Sequence, residues 1–183
     1  MESIRELYRI GHGPSSSHTM GPRKASERFL QKNRHACRFE VILYGSLAAT
    51  GLGHLTDRAI KDVFQQFQCN ITWEPKTFLP KHPNAMKLTA LDCLDKVIDE
   101  WTVYSVGGGT ITDDFTETET KQIYEHKNLQ EIMDWCNQNG KQYWEYVEEV
   151  EGPEIWAFLE EVWDAMKESI DRGLNSDGVL PGV

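Results

Sequence analysis

Two hydrophobic periods divide this chain, and their order limits what it can fold into. Apolar and polar residues alternate in short stretches up to Val106, whereas from about Leu129 apolar residues recur at helical spacing. Arg38-Phe39-Glu40-Val41-Ile42-Leu43-Tyr44 reads as a strand that turns near Gly45. Met86–Leu91 and Val97–Val106 read as a hairpin around Asp92-Cys93-Leu94-Asp95, and Asn70–Trp73 as a short strand. Gly107-Gly108-Gly109 ends the long strand and Thr110–Thr112 continues it. Between the strands, a helix is predicted from Pro22 to about Asn33, with Ala25 and Phe29 on one face. A second, capped by Thr56 or Asp57, reaches about Phe67. Residues 2–10 read as a short amphipathic segment, and 46–53 and 74–85 as loops.

The second half is helical throughout. Ile132, Trp135 and Cys136 share a face before Gly140, and residues 141–150 give a short helix. Gly152-Pro153 then opens the strongest pattern: Ile155, Trp156, Leu159, Val162, Trp163, Met166 and Ile170, stopped by Gly173. Trp135, Trp156 and Trp163 fall on apolar faces and are expected in the core. Strands with interspersed helices, then helices alone, predict an α+β domain with an α-helical extension: a core over 1–112, an acidic extension over 113–172 and a linker-like end over 173–183.

Charge follows the same division. The net charge is -10, yet residues 1–112 carry 14 Lys and Arg against 11 Asp and Glu, and 113–172 carry 5 against 17. The acidic half argues against nucleic acid, which rewards basic stripes. The mildly basic half suits a small anionic ligand. No segment approaches the roughly 20 apolar residues of a membrane span, and Met-Glu-Ser-Ile-Arg-Glu-Leu is no secretion signal, which predicts a cytoplasmic protein. Cys37, Cys69, Cys93 and Cys136 stand far apart with no close pair, so they are expected as reduced, mostly buried thiols that hold no metal.

Four glycine-flanked polar clusters carry the candidate chemistry. Gly13-Pro14-Ser15-Ser16-Ser17-His18-Thr19-Met20-Gly21-Pro22 packs four hydroxyls and a histidine just ahead of a helix. Unpaired N–H groups at a helix start, together with those hydroxyls, make a site for a carboxylate or phosphate. Tyr44-Gly45-Ser46-Leu47 leads to Thr50-Gly51-Leu52-Gly53-His54-Leu55-Thr56-Asp57, where His54 is either a general base near pH 7 or an exposed loop residue. Pro80-Lys81-His82-Pro83-Asn84-Ala85-Met86 holds Lys81, His82 and Asn84 as donors on a stiff loop, or is a solvated approach to the hairpin. Tyr104-Ser105-Val106-Gly107-Gly108-Gly109 permits close backbone approach at Gly107, Gly108 and Gly109, or is a tight bend. It lacks the spacing and the following helix of a dinucleotide site.

Taken in this order, the four clusters resemble the beta region of the iron–sulfur-dependent L-serine dehydratases. The resemblance covers residues 4–112, loosens through the acidic helices and returns at Gly173-Leu174 and Asp177-Gly178-Val179-Leu180-Pro181-Gly182, similar to the linker before that family's alpha region. It implies deamination of L-serine to pyruvate and ammonia, in amino-acid catabolism and gluconeogenesis. It implies a four-iron, four-sulfur (4Fe-4S) cluster held by cysteines of the alpha region, with none of the four cysteines here matching a ligand. It implies a fold similar to the allosteric substrate-binding domain of some phosphoglycerate dehydrogenases. By position, His54 matches the base, Ser15, Ser16, Ser17, His18 and Thr19 match residues near the substrate, and His82 and Asn84 match another substrate-contacting stretch. The expected partners are L-serine, the alpha region and a second copy of the chain; without the alpha region the chain is expected to be silent. A non-catalytic module for serine or another small anion, and a scaffold that only docks the alpha region, are the alternatives.

Overall fold

The computed structural model describes residues 1–115 and 121–179. Within them the chain divides into two compact units, one of residues 11–115 and one joining 1–10 to 121–179.

The 11–115 unit is α+β. Its sheet comprises β1 (Arg38–Tyr44), β2 (Gln68–Glu74), β3 (Ala85–Leu91), β4 (Val97–Gly107) and β5 (Thr110–Asp113), in spatial order β2-β1-β3-β4-β5. β1 and β2 run parallel, and the other pairs are antiparallel. The alternation in β1 sends Phe39, Val41 and Leu43 to one face, where each is fully buried. The register sets Met86, Leu88 and Ala90 of β3 beside them, and Val103 and Ile111 extend the same face. Three helices supply the other half of the core: Ala25 and Phe29 from α1 (Gly21–Lys32), Leu47 and Ala48 from α2 (Gly45–Thr50), and Ile60 from α3 (Thr56–Val63). Phe39 lies at the centre, stacked on Phe64 at 4.4 Å and edge-on to Phe29 and Phe67. Thr89 of β3 and Glu100 of β4 pair on the opposite face, and the Lys87–Glu100 ion pair joins the same two strands.

Several expectations are corrected. The region after Tyr44 is a helix, not a loop: Gly45 takes φ +50°, which turns the chain from β1 directly into α2. Thr56 does not cap α3, because its hydroxyl donates to the His18 carbonyl; the residue before the helix is Leu55, left-handed at φ +56°. That helix stops at Val63, and Phe64–Phe67 closes as a turn. Thr110–Thr112 does not continue β4 but folds back on it as β5, since three successive glycines at positive φ reverse the chain. Cys37 and Cys93 are not free thiols. They form a disulfide with Cα atoms 5.2 Å apart, because β1 starts beside the β3–β4 turn. Cys69 and Cys136 remain free.

The second unit contains α4 (Leu129–Asn139), α5 (Tyr143–Glu151) and α6 (Ile155–Leu174). Asn128 caps α4 by accepting from the Glu131 N–H, and Gly140, left-handed, ends it. Tyr124, Cys136 and Tyr146 form its buried cluster, with Ile4, Ile132, Trp135 and Val150 against them. Of residues 2–10 only Ile4–Glu6 is helical, a single 3-10 turn. The Glu151 carboxylate ties it down, accepting from Ser3 Oγ at 2.6 Å, Ile4 N at 2.7 Å and Tyr124 OH at 2.7 Å. Those bonds outweigh the burial that would raise it and hold Glu151 below the usual carboxylate range. Trp135 is packed as expected, but Trp156 and Trp163 are exposed: of the α6 stripe only Ile155 and Val162 are buried. α6 also runs one residue past Gly173. The linker-like residues Leu180-Pro181-Gly182 lie outside the described residues. No helix among the described residues is long and apolar enough to cross a membrane.

Candidate active site

The serine run is not a loose loop. Ser16–Met20 forms a π-helical turn that feeds straight into α1, and Ser15 caps it by accepting from the His18 N–H at 3.1 Å. The Ser15 N–H in turn reaches Thr19 Oγ1 at 3.3 Å. The His18 ring lies between Ser17 of its own turn, Ser46 at the start of α2 and His54 in the loop after α2. Two buried threonines stitch the segments together: Thr19 Oγ1 donates to the His54 carbonyl at 2.7 Å, and Thr56 Oγ1 to the His18 carbonyl at 2.6 Å. Each of these bonds fixes the backbone of one histidine from a residue adjoining or close to the other.

The result is a close pair of imidazoles. The His18 and His54 rings lie 4.6 Å apart, centroid to centroid, tilted by 34°. His54 Nδ1 is 2.9 Å from the Thr50 carbonyl oxygen. A carbonyl only accepts, so Nδ1 carries the proton, and in the neutral ring Nε2 keeps its lone pair. Both His18 nitrogens face hydroxyls: Nδ1 that of Ser17 at 2.9 Å, and Nε2 that of Ser46 at 3.1 Å. Burial, and then the neighbouring His54, hold His18 below the ordinary imidazole value, offset in part by a hydrogen bond to the Ser46 backbone.

The third cluster joins through the start of α2. The Ser46 N–H donates to the Pro83 carbonyl at 3.0 Å, and the Asn84 N–H to His82 Nδ1 at 3.1 Å. Asn84 and the end of β4 are locked together, with Ser105 N–H donating to the Asn84 carbonyl at 2.9 Å and Asn84 Nδ2 to the Ser105 carbonyl at 3.4 Å. Ser105 also meets the start of α1: a Cβ on Gly21 would stand 2.1 Å from Ser105 Oγ. The Asn84 Oδ1 and Ser105 Oγ atoms are buried without a protein partner, free to receive a ligand or water.

The structure therefore brings together Ser15, Ser17, His18, Thr19 and His54, and links His82 and Asn84 to them through Ser46. Ser16 lies in the same turn, where its carbonyl accepts from Gly21 N–H. Lys81 turns elsewhere: its ammonium donates to the Asp113 carbonyl and lies over the Tyr104 ring. Gly107, Gly108 and Gly109 form the β4–β5 turn just beyond Ser105; a Cβ at Gly107 would meet nothing within 4 Å. Sequence reasoning singled out neither Ser46 nor Ser105 as a site residue, although both lie inside the glycine-flanked motifs. Thr19 and Leu55 also line a cleft of about 510 Å³, together with His12, Arg23 and Arg58.

Residues 3–64 and 61–116 match the family described as serine dehydratase beta chain. This chain belongs to that family. L-serine dehydratase of Haemophilus influenzae is 33% identical over 234 aligned positions, which take in 100% of this chain and 51% of that protein. L-serine dehydratase TdcG of Escherichia coli is 31% identical with the same coverage, and L-serine dehydratase of Streptomyces coelicolor 28% identical over 98% of this chain and 51% of its own length. The chain thus spans about half the length of the curated relatives it matches.

The described residues do not fit a metal cluster. Among the described residues no group of three or more His, Cys, Asp or Glu side chains is placed to hold a metal ion. Cys37 and Cys93 are bonded to each other, Cys136 is buried in the helical unit, and burial pushes the Cys69 thiol up to about 11. What the site does offer is one imidazole lone pair, a group of hydroxyls and two unpartnered polar atoms. The lone pair can take a proton, the hydroxyls can donate to a carboxylate, and Asn84 Oδ1, an acceptor only, can receive a hydrogen bond from an ammonium or a water.

Proposed function

We propose that this member of the serine dehydratase beta chain family supplies the proton-accepting and carboxylate-binding side of an L-serine dehydratase, which converts L-serine to pyruvate and ammonia. The observation that carries the reading is the adjacent histidine pair, in which the hydrogen bond to Thr50 leaves His54 Nε2 as the available lone pair.

In this reading the serine carboxylate takes hydrogen bonds from the Ser15–Thr19 turn, with Asn84 and His82 contributing beside it. His54 Nε2 takes the Cα proton. The electron pair left at Cα forms the Cα–Cβ double bond as the β-hydroxyl leaves as hydroxide, which with the proton held by His54 makes up one water, giving aminoacrylate. That species tautomerises to an imine, which water hydrolyses to pyruvate and ammonia. A neighbouring cation would oppose protonation of His54, so a neutral His18 favours it; burial is the largest influence holding His18 below its ordinary value and outweighs the Ser46 hydrogen bond that raises it. The 4Fe-4S cluster that the family resemblance implies would belong to the alpha region in the remaining half of the relatives' length, and no step above depends on it. Among the described residues no group is placed to hold a metal ion that could assist the departing hydroxyl, so alone the chain is expected to be inactive. The α+β architecture is compatible with the allosteric substrate-binding fold of phosphoglycerate dehydrogenases, and β2 and β5, the edge strands of the sheet, suit self-association.

The test is His54→Ala in the complete dehydratase, with L-serine and its Cα-deuterated form. Loss of a general base lowers kcat by about 10²–10⁴-fold and removes the acidic limb of the pH–rate profile. Turnover within about threefold of the unchanged enzyme, far short of that loss, would overturn the assignment.

A further inference from the structure

Cys37 and Cys93 are held side by side by groups other than their own bond. The Cys37 N–H donates to the Leu91 carbonyl at 2.8 Å, next to the Arg38–Leu91 pairing of β1 with β3. The turn that carries Cys93 closes on itself: the Asp92 N–H donates to the Lys96 carbonyl at 2.9 Å, and the Asp92 carboxylate accepts from the N–H groups of Leu94 at 2.8 Å and Lys96 at 2.9 Å. Across the gap Arg38 Nη1 lies 3.0 Å from Asp95 Oδ1, tying the residue after one cysteine to the residue two past the other. Opening the bond therefore leaves the two sulfurs within reach of each other. The bond also faces solvent, since Cys93 is exposed while Cys37 is half-buried. Its place in the sheet is the end far from the candidate site. β1 runs from Arg38, beside the bond, to Tyr44, before Ser46; β3 runs from Ala85, beside Asn84, to Leu91; β4 runs from Val97 towards Ser105. The 7 residues of β1 alone put about 20 Å between the two ends, at about 3.3 Å per residue.

We propose that Cys37–Cys93 is a thiol-exchange site: a small thiol such as glutathione opens it, its disulfide form closes it again, and the exchange sets the stability of the 11–115 unit without moving the histidine pair. In opening, a thiolate attacks the exposed Cys93 Sγ and forms a mixed disulfide, while Cys37 leaves as a thiolate and takes a proton. A second thiolate attacks the outer sulfur of that mixed disulfide, and Cys93 leaves and takes a proton in turn. Two small thiols are thus oxidised to one disulfide as the two cysteines are reduced, and closing reverses the sequence. The bond joins positions 56 apart, and a cross-link of that span stabilises by restricting the unfolded chain. Opening it should raise the unfolded-to-folded ratio of the unit by about 30- to 1,000-fold. None of this depends on the proposed reaction.

The test uses the 183-residue chain with reduced and oxidised glutathione as the probes. Thiols trapped by acid, then alkylated and mapped by mass, should show Cys37 and Cys93 bonded in the oxidised form and both free in excess of the reduced form, with the amide spectrum dispersed in each. Urea unfolding followed on the β1 amides should show the reduced chain less stable by the factor above. Cys93→Ser should match the reduced chain and ignore glutathione. The ring signals of His18 and His54 should be the same in both states. Cysteines that stay free in oxidised glutathione overturn the proposal, and so does a bond that reduced glutathione opens only after urea has unfolded the chain. These two results, like the comparison of the two glutathione states, need no variant. Opening that changes the unfolding equilibrium by less than about twofold, a few tenths of a kcal/mol, overturns it as well. Opening that displaces the His18 and His54 ring signals would couple the bond to the site and overturn their separation.

Discussion

Gly45→Ala should damage the 11–115 unit more than its modest chemistry suggests. Gly45 sits at φ +50°, a left-handed position that costs an L-residue about 1–2 kcal/mol. A Cβ there would also stand 2.6 Å from the Pro83 carbonyl oxygen and 2.9 Å from the Phe78 ring. The ring can swing; the carbonyl cannot move without loosening its bond from Ser46 N–H. Forced overpacking of this kind adds about 1–3 kcal/mol. The two costs together are about 2–5 kcal/mol. Native-state hydrogen exchange gives the readout, through the amides of Val41 and Leu43 in the buried strand β1. If these exchange by opening of the whole unit, their rates should rise by about 30-fold at the low end and several thousandfold at the high end, at about 1.4 kcal/mol per factor of ten. Gly173→Ala is the matched control: nothing lies within 4 Å of a Cβ there, and alanine is the better helix former, so α6 should be unchanged or stabilised by up to about 1 kcal/mol. A Gly45→Ala chain whose β1 amides exchange within about twofold of the original rate, a few tenths of a kcal/mol, would refute the reasoning that this turn positions Ser46.

Three further perturbations test other parts. Phe39→Ala empties the centre of an aromatic cluster and should cost about 3–5 kcal/mol in urea unfolding of the 11–115 unit. His18 is held below its ordinary value of 6.5, so the unfolded chain binds that proton more tightly. Stability of the unit should be full above that value and decline as pH falls through the lowered one, and His18→Gln should remove that part of the decline. Glu151 is also held below its ordinary value, so the stability it gives is present above 4.5 and lost as pH falls further. Amide protection of Ile4 should therefore fall at acid pH, and Glu151→Gln should abolish that acid dependence.

Much of the fold was legible because it is local. The alternation of Phe39, Val41 and Leu43, the turn after Leu91 and the helix from Leu129 each follow from a few neighbouring residues. What was not legible depends on distant partners. Glycines at 51 and 53 suggested a loop over 46–53, yet Leu47 and Ala48 bury against β1 and hold α2 as a helix. Cys37 and Cys93 meet only through the β1–β3 register, 56 positions apart, so no spacing rule could pair them. Helical spacing made Trp156 and Trp163 look internal, but periodicity reports a stripe and not whether anything covers it. The site shows the same contrast. The clusters around His18, His54 and Asn84 stood out as polar, glycine-flanked segments, whereas the Ser46 hydroxyl that ties two of them together has its partner 28 positions away.

Proximity of the two histidines underlies every role assigned here, and it can be measured without any activity. With both rings assigned in the 183-residue chain, nuclear Overhauser spectra should show direct cross-peaks between ring protons of His18 and His54, whose centroids lie 4.6 Å apart. Two sharp, assigned rings with no cross-peak between them, and with His18 instead close to residues outside the 45–56 segment, would contradict a shared pocket.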